Sequence, residues 1–216
     1  MCVNCAICGI RKPRRTCVAV QGDICAICCG TERERSLDCP FTCKYLREAH
    51  RHEPIAEIAP KDLPHHNVDI SDEFLDENDQ MLAFLSGVLF EAAVTGNSVI
   101  DLDIRAALES RTATYLGTSS DATVSNPRAA AIEEHIQQRI LNLKEVVEKE
   151  APAGAPSIMA DSVVLKLLVF LQRLEYLNNN QRPRSKAFIS MLGRLVVRSI
   201  PTDQTTVDPE DPRIIL

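Results

Sequence analysis

The chain has 216 residues, 45% of them hydrophobic and only 4% aromatic, with a formal charge of −6 from 30 acidic and 24 basic side chains. That length accommodates one or two domains, and the acidic balance removes the general electrostatic case for nucleic-acid binding. The start, Met-Cys-Val-Asn-Cys, lacks the basic stretch and apolar core of a secretory signal, and the longest apolar run, Ile158–Leu171, is cut by Asp161 and Lys166 and falls short of the ~20 residues of a membrane helix. A cytoplasmic location with no membrane partner is expected.

All nine cysteines lie between Cys2 and Cys43. Their order is Cys2-x2-Cys5-x2-Cys8-x8-Cys17-x7-Cys25-x2-Cys28-Cys29-x9-Cys39-x3-Cys43, and repeated Cys-x2-Cys pairs let short turns aim two thiolates at one metal ion. A zinc-binding module over residues 1–52 follows. Within it, Cys5-Ala6-Ile7-Cys8-Gly9 returns as Cys25-Ala26-Ile27-Cys28-Cys29-Gly30, which predicts two zinc knuckles, each with a glycine that relieves a positive φ after the second thiolate. One site is then Cys5, Cys8, Cys25 and Cys28. A second draws on Cys17, Cys39 and Cys43, with Cys29, His50 or His52 as the fourth ligand and Cys2 spare. Two Zn²⁺ are expected in closed, sulfur-rich sites that leave no open position for catalysis. An iron–sulfur cluster is the rival, since Cys2-x2-Cys5-x2-Cys8 opens like a ferredoxin run, but the next cysteine comes eight residues later and precedes Val18. The surplus thiols also admit a zinc–thiol redox sensor. A disulfide framework is disfavoured by the odd cysteine count.

The succession of ligand pairs resembles cross-braced zinc fingers of the B-box and RING classes, in which the first and third pairs share one ion and the second and fourth another. The departures are Val20, where a B-box has the second half of its second pair, and Cys39-x3-Cys43 in place of the final histidines. The run Ile24–Thr31 followed by Cys39-Pro40-x2-Cys43-x-Tyr45-Leu46 is also similar to one in bacterial zinc-binding proteins, a likeness that implies no activity. Arg11-Lys12-Pro13-Arg14-Arg15 forms a basic loop that either grips phosphates or offsets thiolate charge, the second being the favoured reading. Phe41 and Tyr45 are expected to pack beneath the metal site.

Residues 53–70 form a proline-containing linker, with Pro54, Pro60 and Pro64 opposing regular structure. Nine basic against five acidic residues give positions 1–52 a charge of +4, which leaves −10 for the remainder. An acidic bundle of about five helices is predicted over 71–200, so the fold class is mostly α. Ser71 caps a first helix running to Thr95, with Leu75, Leu82, Leu85, Leu89 and Ala92 on one stripe. A second covers Asp101–Leu116. Asn126-Pro127 starts a third, whose apolar face is Ile132, Ile136, Ile140, Leu143 and Val147. The Pro152–Pro156 break ends it. A fourth, opening at Asp161 or Ser162, is apolar almost all round and belongs at the centre of the bundle. Ser185 caps the fifth, which faces inward through Phe188, Leu192 and Leu195. The tail 201–216, ending Ile214-Ile215-Leu216, reads as extended or disordered.

No nucleophile motif, phosphate loop or di-metal carboxylate pattern is present, so no small-molecule substrate is indicated. Arg128-x6-His135 resembles in spacing the Arg–His pair of HEPN-type ribonucleases, in surroundings acidic enough to repel RNA. From Asn178 to Thr202 there are five basic residues and no acidic one: Arg182, Arg184, Lys186, Arg194 and Arg198. This strip fits either nucleic acid or, the favoured reading, pairing with the acidic third helix within the chain or across a dimer. The functional expectation is a non-enzymatic zinc protein that binds a protein partner or itself. A nucleic-acid-associated regulator using Arg11–Arg15 and Arg182–Arg198 is the alternative.

Overall fold

The structure is a computed structural model that describes residues 4–118, 126–150 and 160–199. Cys2, the Pro152–Pro156 break and the tail 201–216 lie outside the described residues.

A small cysteine-rich module is followed by helices, as the composition predicts. In the module, β1 (Arg15–Cys17) pairs antiparallel with β2 (Gly22–Ile24), Thr16 opposite Asp23. Gln21 makes the turn between them at φ 51°. Two short helices follow, α1 (Ala26–Glu32) and α2 (Lys44–Arg51). Their apolar core is small: Ile24, Leu37 and Leu46 packed among the buried sulfurs of Cys5, Cys25, Cys28, Cys29 and Cys39. So few aliphatic side chains bury little apolar surface to set against the ordering entropy of about 50 residues.

The predicted first helix of the bundle is two elements, α3 (Asp72–Glu77) and α4 (Asp79–Thr95). Ser71 caps α3, accepting from the Phe74 N–H at 3.2 Å. Asn78 then ends it, its amide donating back to the Phe74 carbonyl at 2.8 Å while its backbone leaves the helical region. α5 (Asp101–Tyr115), α6 (Pro127–Glu150), α7 (Asp161–Asn178) and α8 (Ala187–Ser199) match the remaining predictions. Asn126 caps α6 as expected, accepting from the Arg128 N–H at 3.0 Å. The core joins Leu85, Leu89, Ile104, Leu108, Ile132, Ile136, Leu167, Leu168, Leu171, Phe188 and Leu192, with Leu75, Leu82, Leu143 and Val147 partly buried at its edge.

The cap of α8 is not Ser185 alone. Asp101, fully buried at the start of α5, accepts from the Phe188 and Ile189 N–H groups (3.1 Å each) and from the Ser185 hydroxyl (2.5 Å), and its own N–H donates to the Ser185 carbonyl. The first residue of α5 thus caps the start of α8 with its buried carboxylate, while Asp103 closes the start of α5 itself by accepting from the Ile100 N–H at 3.0 Å. Burial pushes this carboxyl up to about 6 against those three hydrogen bonds.

Polar contacts join the cysteine module to the bundle. Arg182 donates to the Gly30 and Arg33 carbonyls at the end of α1, and Lys186 Nζ to Asp38 (2.8 Å) and the Cys39 carbonyl (3.0 Å). The intervening stretch contains a single 3-10 turn, Pro60–Asp62, and is strapped to α7 by Arg173, which donates to the carbonyls of Pro64, His65 and Val68.

Candidate metal centre

Cys5 and Cys8 sit on a tight turn in which the Gly9 N–H donates to the Cys5 carbonyl (2.8 Å) and the Cys5 N–H to the Arg11 carbonyl (2.9 Å). Gly9 has φ +65°, the left-handed conformation predicted after the second thiolate. The second pair is presented differently. Cys25 is the N-cap of α1 and Cys28 lies in its first turn, so Gly30 falls inside the helix and no second knuckle forms. The reason is local: the Cys25 sulfur accepts from the Cys28 N–H (3.3 Å), which starts a helix where a turn was expected. The Cys25 N–H in turn donates to Cys5 Sγ at 3.1 Å, tying the two pairs together.

The result brings Cys5, Cys8, Cys25 and Cys28 together, their four sulfurs all within 4.8 Å of one another. Burial pushes the Cys5 thiol up, but donation from the N–H groups of Cys8, Cys25 and Ile7 outweighs it and brings the thiol down to about 6. Backbone N–H groups of Arg11 and Ile10 likewise lower Cys8. Cys28 is pushed up to about 12, first by its hydrogen bond to Cys25, then by burial and by the thiols of Cys8 and Cys5. Opposed shifts among touching thiols express one fact: the site favours thiolate, but four negative charges cannot share it without a cation. The donor set is all sulfur, closed, and able to hold a metal ion.

The other candidate ligands stand outside this group of four. Cys29 accepts from Arg15 Nη1 at 3.1 Å. Burial pushes Cys39 up to about 11 against a backbone hydrogen bond from Glu34, and nearby Cys43 and Cys17 add to the rise. Cys17, Cys29, Cys39 and Cys43 thus belong to one cysteine-lined cluster, without converging within 4.8 Å as the first four do. Neither histidine faces them. His50 is buried between Ser190 and Glu34, and exposed His52 bonds Glu48 at 3.0 Å.

The basic residues are drawn inward. Arg11 hydrogen-bonds the Cys25 side chain, which raises its pKa along with the charge of Cys8. Arg15, besides Cys29, stacks 4.5 Å over the Tyr45 ring, and Tyr45 packs against the sulfur cluster as expected. Phe41 instead joins the bundle core. Arg182, Arg184 and Lys186 face Asp38 and backbone carbonyls of the cysteine module, where pairing with α6 was expected. The α7–α8 loop that carries them is turned by Asn179 and Asn180, whose side chains accept from the Gln181 and Arg182 N–H groups at 2.8 and 3.1 Å. Arg128 and His135 line one cavity of about 400 Å³, and Glu91 sits 3.7 Å from His135.

One cluster has no motif to announce it. Glu34, His50 and Glu53 converge at the seam between the cysteine module and the bundle. Of the three, the sequence singles out only His50, as a possible fourth ligand of the second cysteine site.

Comparisons with protein-family models, with curated proteins and with solved structures find no match for this chain.

Proposed function

We propose that this is a non-enzymatic zinc protein whose cysteine module is a structural finger and whose finger-and-bundle assembly acts as a protein-interaction or regulatory unit. The observation that carries the reading is the closed group of four sulfurs, with backbone N–H groups aimed at them and neither histidine nor carboxylate in the set. Borderline-soft Zn²⁺ suits such a donor set, and an all-protein shell without an open position serves folding rather than chemistry. Cys17, Cys29, Cys39 and Cys43 would hold a second ion, in the interleaved order of cross-braced fingers.

A protein partner is favoured over a nucleic acid by the disposition of side chains. Arg11, Arg15, Arg182 and Lys186 are engaged with sulfur, Asp38 and carbonyls within the chain, which leaves fewer cations for phosphate. Meanwhile Ile7, Ile10, Val18 and Ile27 of the finger stand exposed, Ile10 at 83%. Aliphatic side chains concentrated on a module of this size suit an apolar contact. Chelation under reducing conditions tests the structural role: amide signals of residues 4–52 should collapse while those of α4 to α8 stay dispersed. Retention of the finger's dispersion after complete metal removal would overturn it.

A further inference from the structure

We infer that Glu34, His50 and Glu53 form a separate divalent-metal site that fastens the finger to the bundle. Glu34 follows α1, His50 lies in the last turn of α2 and Glu53 two residues beyond it. Glu34 is fully buried and His50 is 5% exposed. His50 Nε2 lies 3.0 Å from both oxygens of Glu34 and 3.9 Å from Glu53 Oε2.

The polar accounting is incomplete without a cation. Asn180 donates to Glu34 Oε2 (2.9 Å) and Glu53 Oε1 (3.0 Å), and the Lys186 N–H to Glu34 Oε1 (2.6 Å). Glu53 Oε2 is buried and has no hydrogen-bond partner. A neutral imidazole carries one proton, which its contact with Glu34 would consume. Glu53 Oε2 is then left buried with no donor to satisfy it. Two ligands bound at ~2.0–2.1 Å to a tetrahedral ion lie roughly 3.3 Å apart, a separation bracketed by the observed 3.0 and 3.9 Å. An ion there would satisfy the stranded oxygen and neutralise both carboxylates. The opposite ring nitrogen, Nδ1, is 2.8 Å from Ser190 Oγ on α8, the outer contact that fixes a metal-binding histidine. One imidazole and two carboxylates select a first-row divalent ion such as Zn²⁺ or Mn²⁺ over the purely thiophilic metals.

The test is metal content of the full chain, reconstituted with Zn²⁺ and gel-filtered, in wild type and Glu53→Gln. The glutamine keeps an acceptor for Asn180 and nearly the same volume. Wild type should carry one more equivalent than the variant. In Co²⁺-substituted samples, the thiolate-to-metal charge-transfer intensity should match between the two while a weaker nitrogen/oxygen-ligand band disappears from the variant. Ser190→Ala, which leaves all three ligands in place, should weaken this equivalent about 10–100-fold without abolishing it at saturation. Equal metal content and equal spectra across the three proteins would overturn the site and leave His50 as a hydrogen-bonded link between Glu34 and Ser190. Because the spectra separate thiolate from nitrogen/oxygen coordination, that failure would not touch the tetrathiolate reading.

Discussion

Arg182→Ala is the sharpest perturbation of the finger's attachment. The guanidinium donates to the Gly30 carbonyl at 3.2 Å and the Arg33 carbonyl at 2.5 Å, closing the C-terminal end of the helix whose N-terminal end presents Cys25 and Cys28. Charge-assisted hydrogen bonds contribute about 1.5–3 kcal/mol each, and the half-buried position lets water replace part of that. A cation at the negative end of a helix adds about 0.3–1 kcal/mol. The lower ends sum to a loss of about 3 kcal/mol. If metal escapes through local opening of α1, release to a chelator should accelerate by up to about a hundredfold, since 1.4 kcal/mol is a factor of ten. Stopped-flow chelation with a colorimetric dye, paired with urea unfolding, measures both effects. Arg182→Lys, which keeps the charge and loses the fork, should recover part of each. A release rate within twofold of wild type, with unfolding changed by less than about 0.5 kcal/mol, would refute the reasoning.

Cys28→Ser should remove one equivalent of metal and the matching charge-transfer intensity from the Co²⁺ protein, while far-ultraviolet circular dichroism retains the bundle's helicity. Arg105→Met leaves fully buried Glu175 without the partner that grips it at 2.5 and 3.2 Å, a loss of about 3 kcal/mol at pH 8. Burial already raises the Glu175 carboxyl against the hydrogen bond from Arg105, and removing the cation raises it further. A carboxyl raised in the folded state contributes its stability in full below the ordinary carboxylate range and loses it as pH rises through the raised value. The deficit should therefore widen with pH in urea melts and shrink when Glu175→Gln is added; a deficit flat with pH would contradict the assignment. Gly193→Ala places a methyl group 2.8 Å from Phe90 Cε2 where α8 crosses α4, and thermal melts should show a loss of about 1–3 kcal/mol that Phe90→Leu partly restores.

The helices of the bundle were legible because each combined a period of 3.6 with a stop signal that local chemistry enforces. Asn126-Pro127 and Ser71 cap where expected, and Ile132, Ile136 and Ile140 are all buried. The break at Asn78 was not, since the apolar stripe runs through it and only a side-chain bond to Phe74 interrupts the ladder. In the finger, cysteine spacing announced the tetrathiolate group, yet identical Cys-Ala-Ile-Cys runs took two conformations. Gly9 follows its thiolate immediately and turns, whereas Cys29 intervenes before Gly30 and the chain enters a helix. What spacing cannot carry is pairing between distant segments. Asp101 capping α8, Asp38 receiving Lys186 and Glu34 meeting His50 join residues 87, 148 and 16 positions apart, and no local pattern marks any of them.

In the proposed finger, Cys5, Cys8, Cys25 and Cys28 hold one closed metal ion. The most direct test is the metal content of untagged protein purified without added metal, read together with absorption-edge spectroscopy of the bound ion's shell. Zinc, no visible colour, and a shell dominated by sulfur at about 2.3 Å are expected. Bound iron with inorganic sulfide and broad visible absorption would contradict it and make the finger a redox centre.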